Sequence, residues 1–175
     1  MTETVQYQEV GRIGEVEVRR YPKMIVATVA GHSDNEAFGI LFNYISGKNR
    51  PRQKIAMTAP VISEEKIEMT APVLSDTGGM SFVLPARYTE TEVPQPVDPR
   101  ITMEEIPERE VAVVRFKGRA DQESVGEEVQ ILLSTLRESG IRTIGEPFLM
   151  RYNAPITPGF LRRNEVGVAI ERREA

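Results

Sequence analysis

Lys54–Leu74 reads KIAMTAPVISEEKIEMTAPVL and states one pattern twice. Lys54-Ile55-Ala56-Met57-Thr58-Ala59-Pro60-Val61 returns as Lys66-Ile67-Glu68-Met69-Thr70-Ala71-Pro72-Val73, with only Ala56 and Glu68 differing. Each copy alternates with a period of two, placing Ile, Met and Ala on one face and Lys, Ala or Glu, and Thr on the other. That alternation predicts two strands. The short polar link Ile62-Ser63-Glu64-Glu65 predicts a hairpin turn between them. Pro60 and Pro72 lack a backbone donor, so each is expected at a sheet edge, a bulge or a strand end. Met57 and Met69 then occupy comparable places, where a polarizable thioether can fill a core gap or line a ligand pocket. Periodicity by itself favours the core.

Working outward, the 175 residues suit a single domain, 1–175, burying roughly 70% of its unfolded surface. A net charge of -4 argues against general nucleic-acid binding. No run of ~18 apolar residues occurs, so no membrane span is expected. Met1–Gln6 has neither a basic nor an apolar leader segment, and a cytoplasmic protein is the expectation. With no cysteine there is no thiol nucleophile, disulfide or thiolate metal site. The single histidine, His32, cannot build a histidine-rich metal centre. Phosphate loops, dinucleotide fingerprints and nucleophile elbows are missing as well. Most of the familiar catalytic apparatus is missing, and an enzyme is not expected.

Upstream of the repeat, Val5–Val10 reads as a strand and Gly11–Gly14 as a turn. Val16–Tyr21 and Met24–Ala30 read as strands separated by Pro22-Lys23. Ser33 and Glu36 have capping-box spacing, predicting a helix with the stripe Ala37, Phe38, Leu41, Phe42 and Ile45, stopped by Gly47. Lys48–Lys54 is a basic connection, either a solvated loop or an anion-binding rim. Downstream, Met80–Leu84 is a strand, and the prolines of Arg87–Pro99 predict an extended connection. Ile101–Pro107 then repeats the pattern of Val16–Pro22, and Val111–Phe116 ends near Gly118. Ser124 and Glu127 predict a second helix with the stripe Val125, Val129, Leu132, Leu133 and Leu136. Pro147–Tyr152 and Glu165–Glu171 close the chain as strands around a Pro-rich loop. The order suggests pseudo-repeats at about 5–85 and 100–172 in an α+β domain.

The doubled Met-Thr-Ala-Pro-Val, Glu17-Val18-Arg19-Arg20-Tyr21 and Tyr44-Ile45-Ser46-Gly47-Lys48-Asn49 resemble the SOUL-type haem-binding family. Phe82-Val83-Leu84-Pro85, Tyr152-Asn153-Ala154-Pro155 and Arg162-Arg163-Asn164-Glu165-Val166 extend the resemblance over nearly the whole chain. It implies a distorted antiparallel β-barrel of two pseudo-symmetric halves, each flanked by a helix. It also implies reversible, non-enzymatic binding, buffering or transport of haem or a related tetrapyrrole. The general fold is similar to gyrase-inhibitor-like effector-binding domains, which implies an alternative ligand, another hydrophobic or cationic small molecule. Inward glutamates such as Glu17, Glu104 and Glu105 would favour a cation.

One family member with a proposed histidine ligand has His immediately before the motif tyrosine; Arg20 stands there in this chain. The resemblance therefore implies ring burial, with basic contacts to the propionates. Phe38, Leu41, Phe42, Ile45, Met57 and Met69 would form the apolar floor, with Tyr152 and Phe160 at one side. Arg50, Arg52 and Lys54 would meet carboxylates on one rim, and Arg162 or Arg163 on the other.

Overall fold

The computed structural model describes residues 3–50, 54–55, 57–64, 79–118, 121–152 and 163–171. It is α+β, with strands β1 (Glu3–Thr4), β2 (Gln8–Ile13), β3 (Val16–Tyr21) and β4 (Met24–Val29) leading into helix α1 (Asp34–Ile45). Next come β5 (Asn49–Arg50), β6 (Thr58–Glu64), β7 (Met80–Val83), β8 (Gln95–Pro96), β9 (Ile101–Ile106) and β10 (Arg109–Lys117). Helix α2 (Gln122–Glu138) precedes β11 (Thr143–Arg151) and β12 (Arg163–Ile170).

The chain divides into two compact units, Met1–Val5 with Lys23–Pro107, and Gln6–Pro22 with Glu108–Ala175. In the first unit the strand order is β6–β7–β4–β9, with β1 parallel to β6. In the second it is β2–β3–β10–β12–β11, every pair antiparallel. The strands do not close into the barrel that the resemblance implies. Among the described residues β9 pairs only with β4, and β2 only with β3, leaving two free edges. Their residues suit an edge. Thr102, Glu104 and Glu105 of β9 are exposed, and β2 is largely exposed with a bulge between Glu9 and Gly11.

The core of the first unit is built by α1 on its sheet. Ala37, Ile40, Leu41, Tyr44 and Ile45 bury themselves with Ala27, Val29, Met80 and Phe82. Burying one such Leu or Phe side chain contributes ~1.5–3 kcal/mol. As expected, Ser33 caps α1, its hydroxyl accepting from the Glu36 N–H. The helix stripe departs from expectation: Phe42 lies outside it, while Ile40 and Tyr44 lie inside. At roughly 100° per residue, Ile40, Tyr44, Ala37, Leu41 and Ile45 span one continuous arc. Phe38 falls at its margin and Phe42 beyond it.

The hairpin expected at Ile62–Glu65 is also displaced, because β6 continues through those positions to Glu64. Continuous burial from Thr58 to Ile62 replaces the half-buried alternation, as in a strand covered on both faces. Pro60 sits where the β6–β7 register shifts between Thr58 and Val61, the bulge position that its missing donor permits. The second copy, Lys66–Val73, lies outside the described residues.

Further differences are local. The first expected strand, Val5–Val10, is strand only from Gln8, and β2 runs on through residues 11–13, so the tight turn falls at Gly14, whose φ of 59° needs no Cβ. Asp121, not Ser124, caps α2. Its carboxylate accepts from the Ser124 N–H at 2.8 Å, starting the helix three residues earlier than the capping-box reading. β11 begins at Thr143, four residues before Pro147, with a register shift between Ile144 and Phe148.

Candidate functional site

The flank of α1 presents a ring surface. Phe38 and Phe42 are four residues apart, and their rings stack at 6.1 Å with planes 15° apart. Phe38 meets Phe82 edge-on at 5.3 Å, which ties the stack to the core. Phe42 is 49% exposed, so one ring of the pair faces out. Met57 is half-buried against the same core.

Basic residues follow at the C-terminal end of the helix. The Ile55 N–H donates to the Ile45 carbonyl at 2.7 Å, which brings Lys54 there, about one turn beyond Phe42. Arg50 is exposed on β5, paired with β8. Asn49 fixes the exit from α1, its Nδ2 donating to the Tyr44 carbonyl at 2.7 Å. The Tyr44 hydroxyl donates to the Pro94 carbonyl, and burial raises its pKa above the ordinary value. An open hollow of 310 Å³ lies at this end, lined by Lys48, Val97, Asp98, Pro99 and Arg100. Arg100 holds the Asp98 carboxyl down at about 2 by donating to both oxygens, at 2.9 and 2.6 Å.

The second unit carries a different construction on one face of its sheet. Residues directly opposite in antiparallel strands share a face. The pairs Arg19↔Val111, Arg115↔Glu165 and Glu165↔Met150 therefore set these side chains on one surface with Glu17 and Tyr21. Arg19 and Glu165 are both 0% exposed and form a two-pronged ion pair, Nη1 to Oε1 at 2.7 Å and Nη2 to Oε2 at 2.6 Å. Arg19 also donates to Glu17 Oε2 and to the Tyr21 hydroxyl, at 2.8 Å in each case, and lies 4.1 Å above the Tyr7 ring. Arg115 and Arg163 donate to Glu165 Oε2 at 3.2 and 3.1 Å.

Burial would raise the Glu165 pKa, but the Arg19 hydrogen bonds and charge outweigh it and hold the carboxyl at about 2. Burial would likewise lower Arg19, and Glu165 with Tyr21 moves it above its ordinary value instead. Desolvation raises Tyr152, over whose ring Arg163 stands at 4.4 Å.

The anticipated ligand residues are divided between the two units. Phe38, Leu41, Phe42, Ile45, Arg50, Lys54 and Met57 belong to the first unit, where Leu41 and Ile45 are core and Phe42 is the most exposed apolar member. Tyr152 and Arg163 belong to the second, bound to the Glu165 cluster. Arg52, Met69, Phe160 and Arg162 lie outside the described residues. His32 places Nδ1 2.9 Å from the Ala30 carbonyl, in the turn before α1. Sequence reasoning did not single out Arg19, Tyr21 or Glu165 as a cluster. A signal was present: Glu17, Arg19 and Tyr21 alternate on one strand face, in the first of two charged motifs whose other is Arg162–Val166.

The SOUL heme-binding protein model matches residues 2–169, and the chain belongs to that family. It is 30% identical over 169 residues to human Heme-binding protein 2, covering 92% of this chain and 80% of the relative. Solved structures share the fold at lower identity. The crystal structure of the EcmrR C-terminal domain aligns over 95% of this chain and 99% of its own, at 13% identity and a TM-score of 0.63. A crystal structure described as a hydrolase from Listeria innocua aligns over 93% of this chain and 94% of its own, at 12% identity and a TM-score of 0.56. At such identities the likeness is one of fold.

Proposed function

We propose that this protein binds haem or a related tetrapyrrole reversibly on the flank of α1, as a buffer or carrier that converts nothing. The observation that carries the reading is the Phe38–Phe42 stack, anchored on Phe82 with Phe42 half in solvent. A flat apolar macrocycle laid on these rings and Met57 gains ~25 cal/mol for each Å² withdrawn from water. Arg50 and Lys54 supply cations for its carboxylates, and Arg52 belongs to the same reading. Met69, Tyr152, Phe160, Arg162 and Arg163 remain part of the proposed ligand set.

Ring burial with carboxylate pairing requires no iron ligand, and none is assigned. The family position before the motif tyrosine is Arg20, which donates to Glu110 at 3.2 Å. Supporting the family ligand over a cationic effector, the buried Glu165 already accepts from three arginines, and Glu104 and Glu105 are exposed. A different hydrophobic small molecule is the alternative. A cytoplasmic setting, small-molecule partners in preference to nucleic acid, and origin of the two strand–helix repeats by internal duplication complete the proposal. Among the described residues no helix is long and apolar enough to cross a membrane.

Haemin titration into the purified protein, followed at the Soret band, tests it. A saturable change at micromolar haemin, weakened in Phe42→Asp, is the expected result. No saturable change in the folded wild type overturns it.

A further inference from the structure

On the face that carries the Glu165 cluster, one arginine is treated differently from the rest. Arg19, Arg115 and Arg163 all donate to Glu165. Arg109 stands opposite Tyr21 at the start of β10, and its guanidinium lies 5.0 Å above the Phe148 ring. Among the described residues no carboxylate pairs with it, and its buried Nε donates to no acceptor. Burial pulls its pKa below the ordinary arginine value, with only a Coulombic contribution from Tyr21 opposing. Desolvating a cation without a counter-charge costs free energy, so this arrangement lacks an anion.

The platform beneath Arg109 is specifically built. Phe148 is paired across the β11–β12 ladder with Gly167. A Cβ at Gly167 would come to 3.0 Å from both Phe148 Cε2 and Met150 Cε, and 3.1 Å from Val111 Cγ1. Only a residue without a side chain lets these groups crowd over β12 and hold the ring under the guanidinium. An arginine resting on an aromatic face keeps its planar fork of donors for a carboxylate.

We propose that Arg109, seated on Phe148, forms a binding site in the second unit for a small carboxylate. The acid group accepts from the Arg109 fork, while the buried rings of Phe148 and Tyr21 back the guanidinium. Nothing in this inference depends on haem binding at α1.

Calorimetric titration of the full chain with 2-naphthoate, beside its neutral analogue 2-naphthalenemethanol, reads the site directly. The expected result is saturable binding of the acid, none of the alcohol, and at least a ~10-fold loss in Arg109→Gln, the loss of a charge-assisted pair. Haemin affinity stays unchanged in that variant, separating this site from the one at α1. The unliganded variant also melts no lower than wild type, because an uncompensated cation has been removed. Absence of saturable acid binding to folded wild type, or equal binding of acid and alcohol, overturns the inference. So does undiminished affinity in Arg109→Gln. Should that variant melt lower, the acid–alcohol comparison in wild type decides the question by itself.

Discussion

Glu165 accepts from three arginines of the second unit, and its burial makes its ionisation a stability variable. Its carboxyl titrates at about 2 in the folded chain against 4.5 ordinarily. A depressed folded value means that the unfolded chain binds the proton more readily. The stabilisation is therefore complete above about 4.5 and is lost as pH falls from there through about 2. The effect is on the order of 3 kcal/mol. Urea midpoints measured between pH 5 and pH 2.5 are expected to fall steeply in wild type. In Glu165→Gln this part of the slope disappears, which separates it from the partly exposed Asp98, whose carboxyl is also held at about 2. At neutral pH the same substitution leaves Arg19 buried beside an uncharged amide and costs about 3–5 kcal/mol. Adding Arg19→Met then costs less than Arg19→Met alone, because the two side chains form one unit. An additive double-mutant cycle would show that the pair is not coupled.

At the scale of elements, the helices show which local signals suffice. α1 is capped by Ser33 as its sequence indicates, yet the spacing Ser124–Glu127 gives a false start for α2. Asp121 does the capping there, three positions earlier, and a donor–acceptor pair one turn upstream competes with the pattern used to find it. Asp121→Ala is expected to lower stability by ~1 kcal/mol in denaturant unfolding, with Ser124→Ala near zero. The reverse order would restore Ser124 as the cap.

The apolar stripe of α1 was legible as a stripe but not in phase. Five aromatic and aliphatic positions fit two overlapping arcs, and packing under β4 and β7 selects the one containing Ile40 and Tyr44. The arc left outside carries Phe42, which gives the element its ligand-facing ring. Phe42→Ala therefore reduces haemin affinity by about 5–30-fold while barely moving the melting temperature, as removal of ~1–2 kcal/mol of exposed ring contact implies. Phe38→Ala lowers both, since Phe38 also packs on Phe82. A Phe42 variant with unaltered Soret titration would remove the ring stack from the ligand site. The Arg19–Glu165 pair was not legible in the same way. Its partners are 146 residues apart, and alternation identifies a face without saying which distant strand lies opposite.

For the molecule as a whole, chain order and compact unit do not coincide. The similar segments Val16–Pro22 and Ile101–Pro107 suggest repeats at about 5–85 and 100–172. In the structure β3 pairs with β10 of the later stretch, whereas β9 pairs with β4 of the earlier one. Each unit thus completes its sheet with a strand from the other end of the chain, so local patterning reveals the strands and conceals their partners. The exchange has a folding consequence. A fragment of residues 1–85 retains β4, β6, β7 and α1 but leaves β4 without β9 along its whole length, and β3 without β10. The exposed edge of β4 would then include Val26 and Ala27, which are buried in the intact chain. Unpaired backbone and newly wetted apolar surface both oppose folding. The fragment is expected to show no cooperative thermal transition by circular dichroism. Mixing it with residues 86–175 supplies β9 and β10 together and is expected to restore one. A sharp transition from residues 1–85 alone would mean that the N-terminal stretch folds without the exchanged strand, and that the β4–β9 ladder is dispensable.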